Sequence, residues 1–344
     1  SVNAYCAAGL RDMALALEDI RHPRAAELRE QADAFMNDLR TAIRRMTELA
    51  PVTRLRDGTY SPYVPTRLYQ RFRYFGPLRV EYFSRYNLPD ARPCYRLSAT
   101  REVLYGPMIL LNVGIFDVNE PIAEWILDDW EDNLTLSSSG GFNVHGFTDD
   151  HFWFSQGGMV FQSNLQNPVL VYLKRNETQA AIRGLYNNFV SCLYPEVNTL
   201  TEEYRMWSHA SGPFYKSPDE ARFVYRLRDA LVLESGNDLW LASGAPRRWL
   251  QAPEGIQVDS INTWFGPVGY TLRPGSEERT IVARVHPPAR NAPDNLWLYV
   301  RVPEGRKITG ARIGGREWTG FDPAAERIRL PKSTEPVDVV VVYE

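Results

Sequence analysis

The stretch that decides the fold is 223–242: Phe223-Val224-Tyr225-Arg226-Leu227-Arg228-Asp229-Ala230-Leu231-Val232-Leu233-Glu234-Ser235-Gly236-Asn237-Asp238-Leu239-Trp240-Leu241-Ala242. Its first part spaces Phe223, Leu227 and Ala230 on one face of a helix running from about Pro218 to Leu233. Its last part, from Asp238 to Ala242, is a short apolar run of strand length. The change of period predicts two parts, 1–234 and 235–344.

Downstream of the junction, further strand-like runs follow at Ile256 to Ile261, Val268 to Leu272, Thr280 to Val285, Leu296 to Val302, Ile308 to Ile313, Arg327 to Leu330 and Val337 to Tyr343. Pro274-Gly275, Pro303-Glu304-Gly305 and Gly314-Gly315 separate them as turns. Eight short strands with regular turns imply an antiparallel β-sandwich.

Upstream, the pattern is helical hairpins. In residues 2–49, Leu28, Ala32, Phe35, Leu39, Ile43 and Met46 mark one face of a second arm, and Leu10, Ala14 and Leu17 mark the first. Arg21-His22-Pro23 is the break, with Pro23 in the first turn of the second arm. A second hairpin joins Val103–Gly114 to Glu120–Asn133, with Asn119 as the expected N-cap before Pro121. A third joins Gly158–Lys174 to Glu177–Leu193 through Arg175-Asn176. Long connections alternate with these tight turns. The stretch Pro51 to Arg101 is rich in breakers, yet its tyrosines and phenylalanines supply more apolar area than a solvated linker carries.

Composition excludes several classes. Lys and Arg total 39 against 42 Asp and Glu, a net charge of -3, so no nucleic-acid partner is expected. Cys6, Cys94 and Cys192 form no disulfide framework and no CxxC pair, leaving room for one bridge at most. No apolar run approaches a membrane span, and no membrane partner is expected. GxGxxG, P-loop, GxSxG and HExxH patterns do not occur, and His145, His151 and His209 lack HxH or HxxxH spacing. Neither a cofactor nor a metal is expected. The start at Ser1-Val2-Asn3, with no initiator Met or signal pattern, is expected to be internal to a longer chain.

The 9 Trp, 18 Tyr and 15 Phe include many in polar, loop-like stretches, which favours a cleft that stacks on a flat ligand. Two such stretches also carry carboxylates. One is Gly146-Phe147-Thr148-Asp149-Asp150-His151-Phe152-Trp153; the other holds Thr201-Glu202-Glu203-Tyr204-Arg205, Trp207 and His209. Paired carboxyl groups converging from different loops are what hydrolysis of a glycosidic bond requires. Either pair has a plainer reading, helix capping or solvation. The acidic helix end Asp128-Asp129-Trp130-Glu131-Asp132 reads as a solvated face, with Asp132 able to reach a rim.

Leu233-Glu234 through Leu239, Leu241, Gly244-Ala245-Pro246 and Trp249-Leu250, followed by Thr263-Trp264-Phe265-Gly266 with Val268 and Tyr270, resembles the helix-to-sandwich junction of six-hairpin (α/α)-barrel glycosidases. The resemblance implies an α+β chain: an α/α toroid of helical hairpins in 1–234, followed by an antiparallel β-sandwich in 235–344. A full barrel of that kind has twelve helices, and the sequence shows about seven, so either an upstream segment completes it, as the internal start favours, or the ring is incomplete. Thr201-Glu202-Glu203-Tyr204 is similar to the S-E-Q-Y sequence that carries the general base in some inverting members. The implied function is a glycoside hydrolase acting on an oligo- or polysaccharide, periplasmic or secreted as its substrate class favours. Catalytic candidates are Glu202, Glu203, Asp149 and Asp150; Trp153, His151, Tyr204, Arg205, Trp207 and His209 would bind substrate. The alternatives are a polysaccharide lyase, with Tyr204 or a histidine as base and Arg205 neutralising a uronate, and a non-catalytic glycan-binding subunit.

Overall fold

The computed structural model describes residues 2–50, 52–55, 57–65, 106–132, 167–194, 197–200 and 217–344. They hold eight helices together with antiparallel and mixed sheets, an α+β architecture. The chain divides into two compact units: a helical unit of Ser1–Val171 and Tyr186–Phe223, and a sheet unit of Tyr172–Leu185 and Val224–Glu344.

In the helical unit, α1 (Val2–Asp19) and α2 (Ala25–Leu49) form the expected first hairpin. The chain reverses through Arg21 at φ 54°, and Pro23 precedes α2 instead of sitting in its first turn. The buried seam of α2 is Ala25, Ala32, Met36, Leu39, Ile43 and Thr47. Leu28, Phe35 and Met46 flank it, half-buried. Helix α1 buries Ala4, Ala7, Ala8 and Ala14, whose small side chains let the backbones come close and leave bulkier groups at the sides.

The hairpin β1 (Thr53–Arg54) and β2 (Tyr60–Ser61) turns at Asp57-Gly58. Gly58 has φ 91°, and Asp57 Oδ1 accepts the Thr59 N–H at 2.8 Å. Thr59 holds the Asp57 carboxyl below its ordinary pKa by hydrogen bonding. Helices α3 (Gly106–Asn112) and α4 (Pro121–Trp130) form the second hairpin. The N-cap of α4 is Glu120, not Asn119. Asn119 instead donates its N–H and Nδ2 to Asp117 Oδ1, at 2.8 and 3.1 Å. Arginines of the first hairpin satisfy carbonyls beyond α3: Arg11 donates to Val113 O at 3.0 Å and Arg40 to Ile115 O.

Helices α5 (Val169–Lys174) and α6 (Thr178–Cys192) meet at Asn176, which takes φ 59°, a conformation asparagine tolerates. Strands β3 (Leu193–Tyr194) and β4 (Thr199–Leu200) pair antiparallel after α6, and α7 (Ser217–Leu231) follows. Cys6 and Cys192 are free thiols; Cys94 lies outside the described residues.

The most buried face of α7 is not the expected apolar one. Phe223 and Leu227 are half-buried, whereas Arg226 and Asp229 are buried beside Ala230. Arg226 Nη1 donates to Asp229 Oδ2 at 2.9 Å, and Arg228 lies 3.7 Å from Oδ1. Burial raises the Asp229 pKa, and the two arginines and Lys174 pull it back. A raised folded pKa means that the fold disfavours the ionised carboxylate. Its stabilising contribution is therefore largest below the ordinary aspartate pKa of about 4 and declines as pH rises through the raised value. Asp229→Asn is expected to remove this decline. The variant's unfolding free energy should gain relative to wild type between acidic and neutral pH in urea titrations, and parallel pH profiles would contradict it.

The sheet unit contains two sheets. One orders β13 (Phe321–Asp322), β14 (Arg327–Arg329), β10 (Leu296–Tyr299), β6 (Asp238–Leu241) and β5 (Val232–Ser235). The other orders β12 (Arg316–Glu317), β11 (Ile308–Ile313), β15 (Val337–Tyr343), β9 (Thr280–His286), β8 (Gly266–Pro274) and β7 (Ile256–Thr263). All eight expected runs are strands, and β5, β12 and β13 are additional. The expectation of purely antiparallel pairing fails at β6 and β10, which run parallel because the chain crosses to the other sheet between them.

Both sheets feed one apolar cluster, with Leu239, Leu241 and Leu298 from the first and Tyr270, Leu272, Val285, Val339 and Val341 from the second. Strand β15 shows the alternation that does this: Val337, Val339 and Val341 are buried and Asp338 is exposed. Helix α8 (Arg247–Gln251) contributes Leu250. Gly244 lets the chain pass close to two helices, since a Cβ there would lie 2.7 Å from Ala230 Cβ and from Leu173 Cδ2. Gly269 sits opposite the irregular β7 register, where a Cβ would lie 2.3 Å from the Asp259 carbonyl oxygen.

A buried polar knot fixes the α5–α6 turn within this unit. Arg301, 5% exposed, donates to Asn176 Oδ1 at 2.7 Å, Ser243 O at 2.9 Å and Glu326 Oε2 at 3.3 Å. Arg247 Nη2 donates to the same Glu326 oxygen at 2.8 Å. The Arg301 guanidinium also lies over the Tyr299 ring, 5.0 Å from its centroid. Burial lowers the Arg301 pKa against the opposing pull of Glu326.

Candidate functional site

Asp149, Asp150, His151, Trp153, Glu202, Glu203, Tyr204, Arg205, Trp207 and His209 all lie outside the described residues, so the site is approached through its flanks. The segment with Glu202 and Glu203 follows β4 and precedes α7. Thr199 and Leu200 are both buried, and β4 is held to β3 by the pairs Leu193↔Leu200 and Tyr194↔Thr199. Leu200 also donates its N–H to Glu220 Oε1 of α7 at 3.3 Å. Glu202 is thus the second residue beyond a buried strand fastened on two sides. The segment with Asp149 and Asp150 falls between α4 and α5.

The acidic end of α4 departs from the expected solvated face. Asp129 is 1% exposed, Trp130 is buried, and Asp128, Glu131 and Asp132 are half-buried. Thr53 of β1 donates its hydroxyl to Asp129 Oδ1 at 3.4 Å. Beyond Trp130 the helix widens into a π turn at residues 131–132. The physical reason lies in the helix period. Ile122, Ile126 and position 129 share one stripe, and Ala123, Leu127 and Trp130 the next, so the aspartate is carried inward by its neighbours. Sequence reasoning weighed the run of charges and missed this spacing. Carboxylates withdrawn from water beside a hydroxyl donor have the chemistry of acid–base or hydroxyl-binding groups.

An open concavity of about 480 Å³ in the helical unit is lined by Arg44, Glu48, Glu120 and Trp125 among others. Arg44 Nη2 is paired with Glu120 Oε2 at 2.8 Å, which neutralises that rim. Among the described residues, no three His, Cys, Asp or Glu side chains converge as a metal site, and no helix is long and apolar enough to cross a membrane.

The Thr263-Trp264-Phe265-Gly266 motif has a geometric role in the sheet unit. The Trp264 N–H donates to Glu234 Oε1, while its carbonyl accepts from Arg290 Nη2 and from Asn291 Nδ2, the latter at 3.2 Å. Glu234 Oε2 is held by Arg228 at 3.0 Å. The Trp264 side chain remains 46% exposed on this clamped turn.

No family model and no curated protein matches the sequence. Solved structures similar to it include one described as a glycoside hydrolase, at 10% identity and TM-score 0.36, covering 70% of this chain and 46% of that one. Another is an alpha-L-rhamnosidase from Dictyoglumus thermophilum, at 10% identity and TM-score 0.46, covering 98% of this chain and 31% of that one. The chain spans less than half the length of either.

Proposed function

We propose that the protein hydrolyses glycosidic bonds of an oligo- or polysaccharide. Glu202 activates water, and Asp149 or Asp150 supplies a second carboxyl group, with Glu203 as the neighbouring titratable group. Trp153, Tyr204 and Trp207 stack on the sugar, and His151, Arg205 and His209 hydrogen-bond its hydroxyls. In this reading, 1–234 are the later hairpins of an α/α toroid, an upstream segment completes the ring, and 235–344 are a β-sandwich.

The observation that carries the reading is the anchorage ahead of Glu202: the buried, doubly fastened Thr199–Leu200 strand. A general base must be held within hydrogen-bond reach of its water, and loop residues gain that precision from a rigid base. The sequence pattern of tight turns alternating with long, carboxylate-bearing stretches supports it as well.

The test is to incubate the chain, alone and extended upstream, with neutral and uronate-containing polysaccharides. Hydrolysis releases reducing ends with no unsaturated, ultraviolet-absorbing sugar. An unsaturated product would assign a lyase, and binding without turnover would assign a non-catalytic subunit.

A further inference from the structure

The sheet unit carries an open cleft of about 710 Å³ that the proposed hydrolysis does not use. One wall is the proline-rich segment 287–296; residues 329–334 and Trp318 supply the rest of the lining. Its volume is in the range of small-ligand sites, on the order of 300–1,000 Å³.

Its walls are fixed before any ligand arrives. Asn291 donates its N–H to Phe265 O at 2.9 Å, and Asp294 donates its N–H to Asn237 O at 2.8 Å. Asn295 Nδ2 donates to Asp238 Oδ1 at 2.8 Å. Trp318 is held in the same way, with Nε1–H donated to Arg329 O at 2.9 Å. Gly320 packs so near the indole that a Cβ there would lie 2.7 Å from Nε1. With its one polar atom already bonded, the ring offers apolar surface.

The chemistry of the lining selects among ligands. Half-buried Trp318 and Pro331 supply apolar surface over a floor of buried Pro287, Pro288 and Pro293, while exposed Asp294, Arg329, Lys332 and Thr334 supply acceptors and donors. Asp294 stands with Arg329 and Lys332 in this lining, so it offers both acceptors and cationic donors, as a ring of hydroxyls requires. A proline-rich peptide docks on a groove lined by several aromatics, and Trp318 is the single aromatic in this lining. A pyranose has an apolar C–H face and a rim of hydroxyls that both donate and accept.

We propose that this cleft binds a pyranose unit of a neutral glycan chain, with Trp318 against its C–H face and Asp294 and Lys332 on its hydroxyls. This binding rests on the cleft in the sheet unit and is independent of the hydrolase reading.

The test is affinity electrophoresis of the full chain through gels containing xylan, glucomannan, galactomannan or mixed-linkage β-glucan. Titration with a hexasaccharide of the retained polymer follows. At least one polymer should retard the wild type, and Trp318→Ala should weaken binding about tenfold. Because Trp318 also packs partly on the core, the exposed pair Asp294→Ala and Lys332→Ala serves as a second variant. It should lower affinity several-fold with unchanged thermal unfolding. Wild type unretarded by all four polymers overturns the proposal, as does wild-type mobility of both variants or retention by a polyproline peptide in place of glycans. Cleft binding with no turnover of any polysaccharide by the chain extended upstream overturns the hydrolase reading alone, and turnover without cleft binding overturns this inference alone.

Discussion

Arg301→Ala should destabilise the sheet unit by about 3–5 kcal/mol, the scale for breaking a buried ion pair by removing one partner. The side chain is 5% exposed, so water cannot replace what is lost. Deleting it takes a donor from the Asn176 side-chain oxygen and from one side of Glu326, and leaves the Ser243 carbonyl only the Thr178 hydroxyl at 3.4 Å. Arg247 still partners Glu326, which keeps the loss at a single broken pair instead of a fully stranded carboxylate. Arg301→Lys should recover little, because a single ammonium cannot reach the same three acceptors as a planar fork. The double variant Arg301→Met with Glu326→Leu should recover part of the stability, since it removes the two most buried charges and leaves Arg247, the more exposed partner, to water. Guanidinium titrations with tryptophan fluorescence measure all three. A loss under about 1 kcal/mol for Arg301→Ala would mean that the knot is solvated in solution.

Glu202→Gln should lower hydrolysis by roughly 10²–10⁴-fold, the usual contribution of a positioned acid–base group. The amide keeps the size of the carboxylate and cannot take a proton from water, so glycan binding should persist while turnover is lost. Glu203→Gln is the control that separates the neighbours, and its effect should be far smaller. Initial rates of reducing-end release on the substrate found in the polysaccharide screen give the comparison. Wild-type rates in Glu202→Gln would remove it from the mechanism, and the reversed pattern would transfer the role to Glu203.

Elements with a strong period were legible in the sequence. The α1–α2 hairpin and the eight strand runs appear where apolar spacing put them, because burial on one face imposes that spacing. Val232 is strand although the helical spacing extends to Leu233, since the apolar triple Leu231-Val232-Leu233 satisfies either period. Strands β12 and β13 are two residues long, too short to show any period. The parallel pairing of β6 with β10 joins Leu239 to Leu296, a long-range choice that no local pattern encodes. Asp129 shows the opposite failure: its position was encoded in the helix stripe, and its charge drew attention away. The candidate site residues lie outside the described residues, in stretches of sequence where neither period shows and residue type is the main guide.

Strand β15 sits between β9 and β11, which therefore never touch as neighbours in the six-stranded sheet. During synthesis both of those strands emerge from the ribosome before it does. Until Val337–Tyr343 arrives, one edge of β9 and one edge of β11 stand open, each a template for pairing with another chain. Closure of this sheet is therefore a late event, and the free edge of β9 is exposed to intermolecular pairing over the interval in which β10 to β14 are being made.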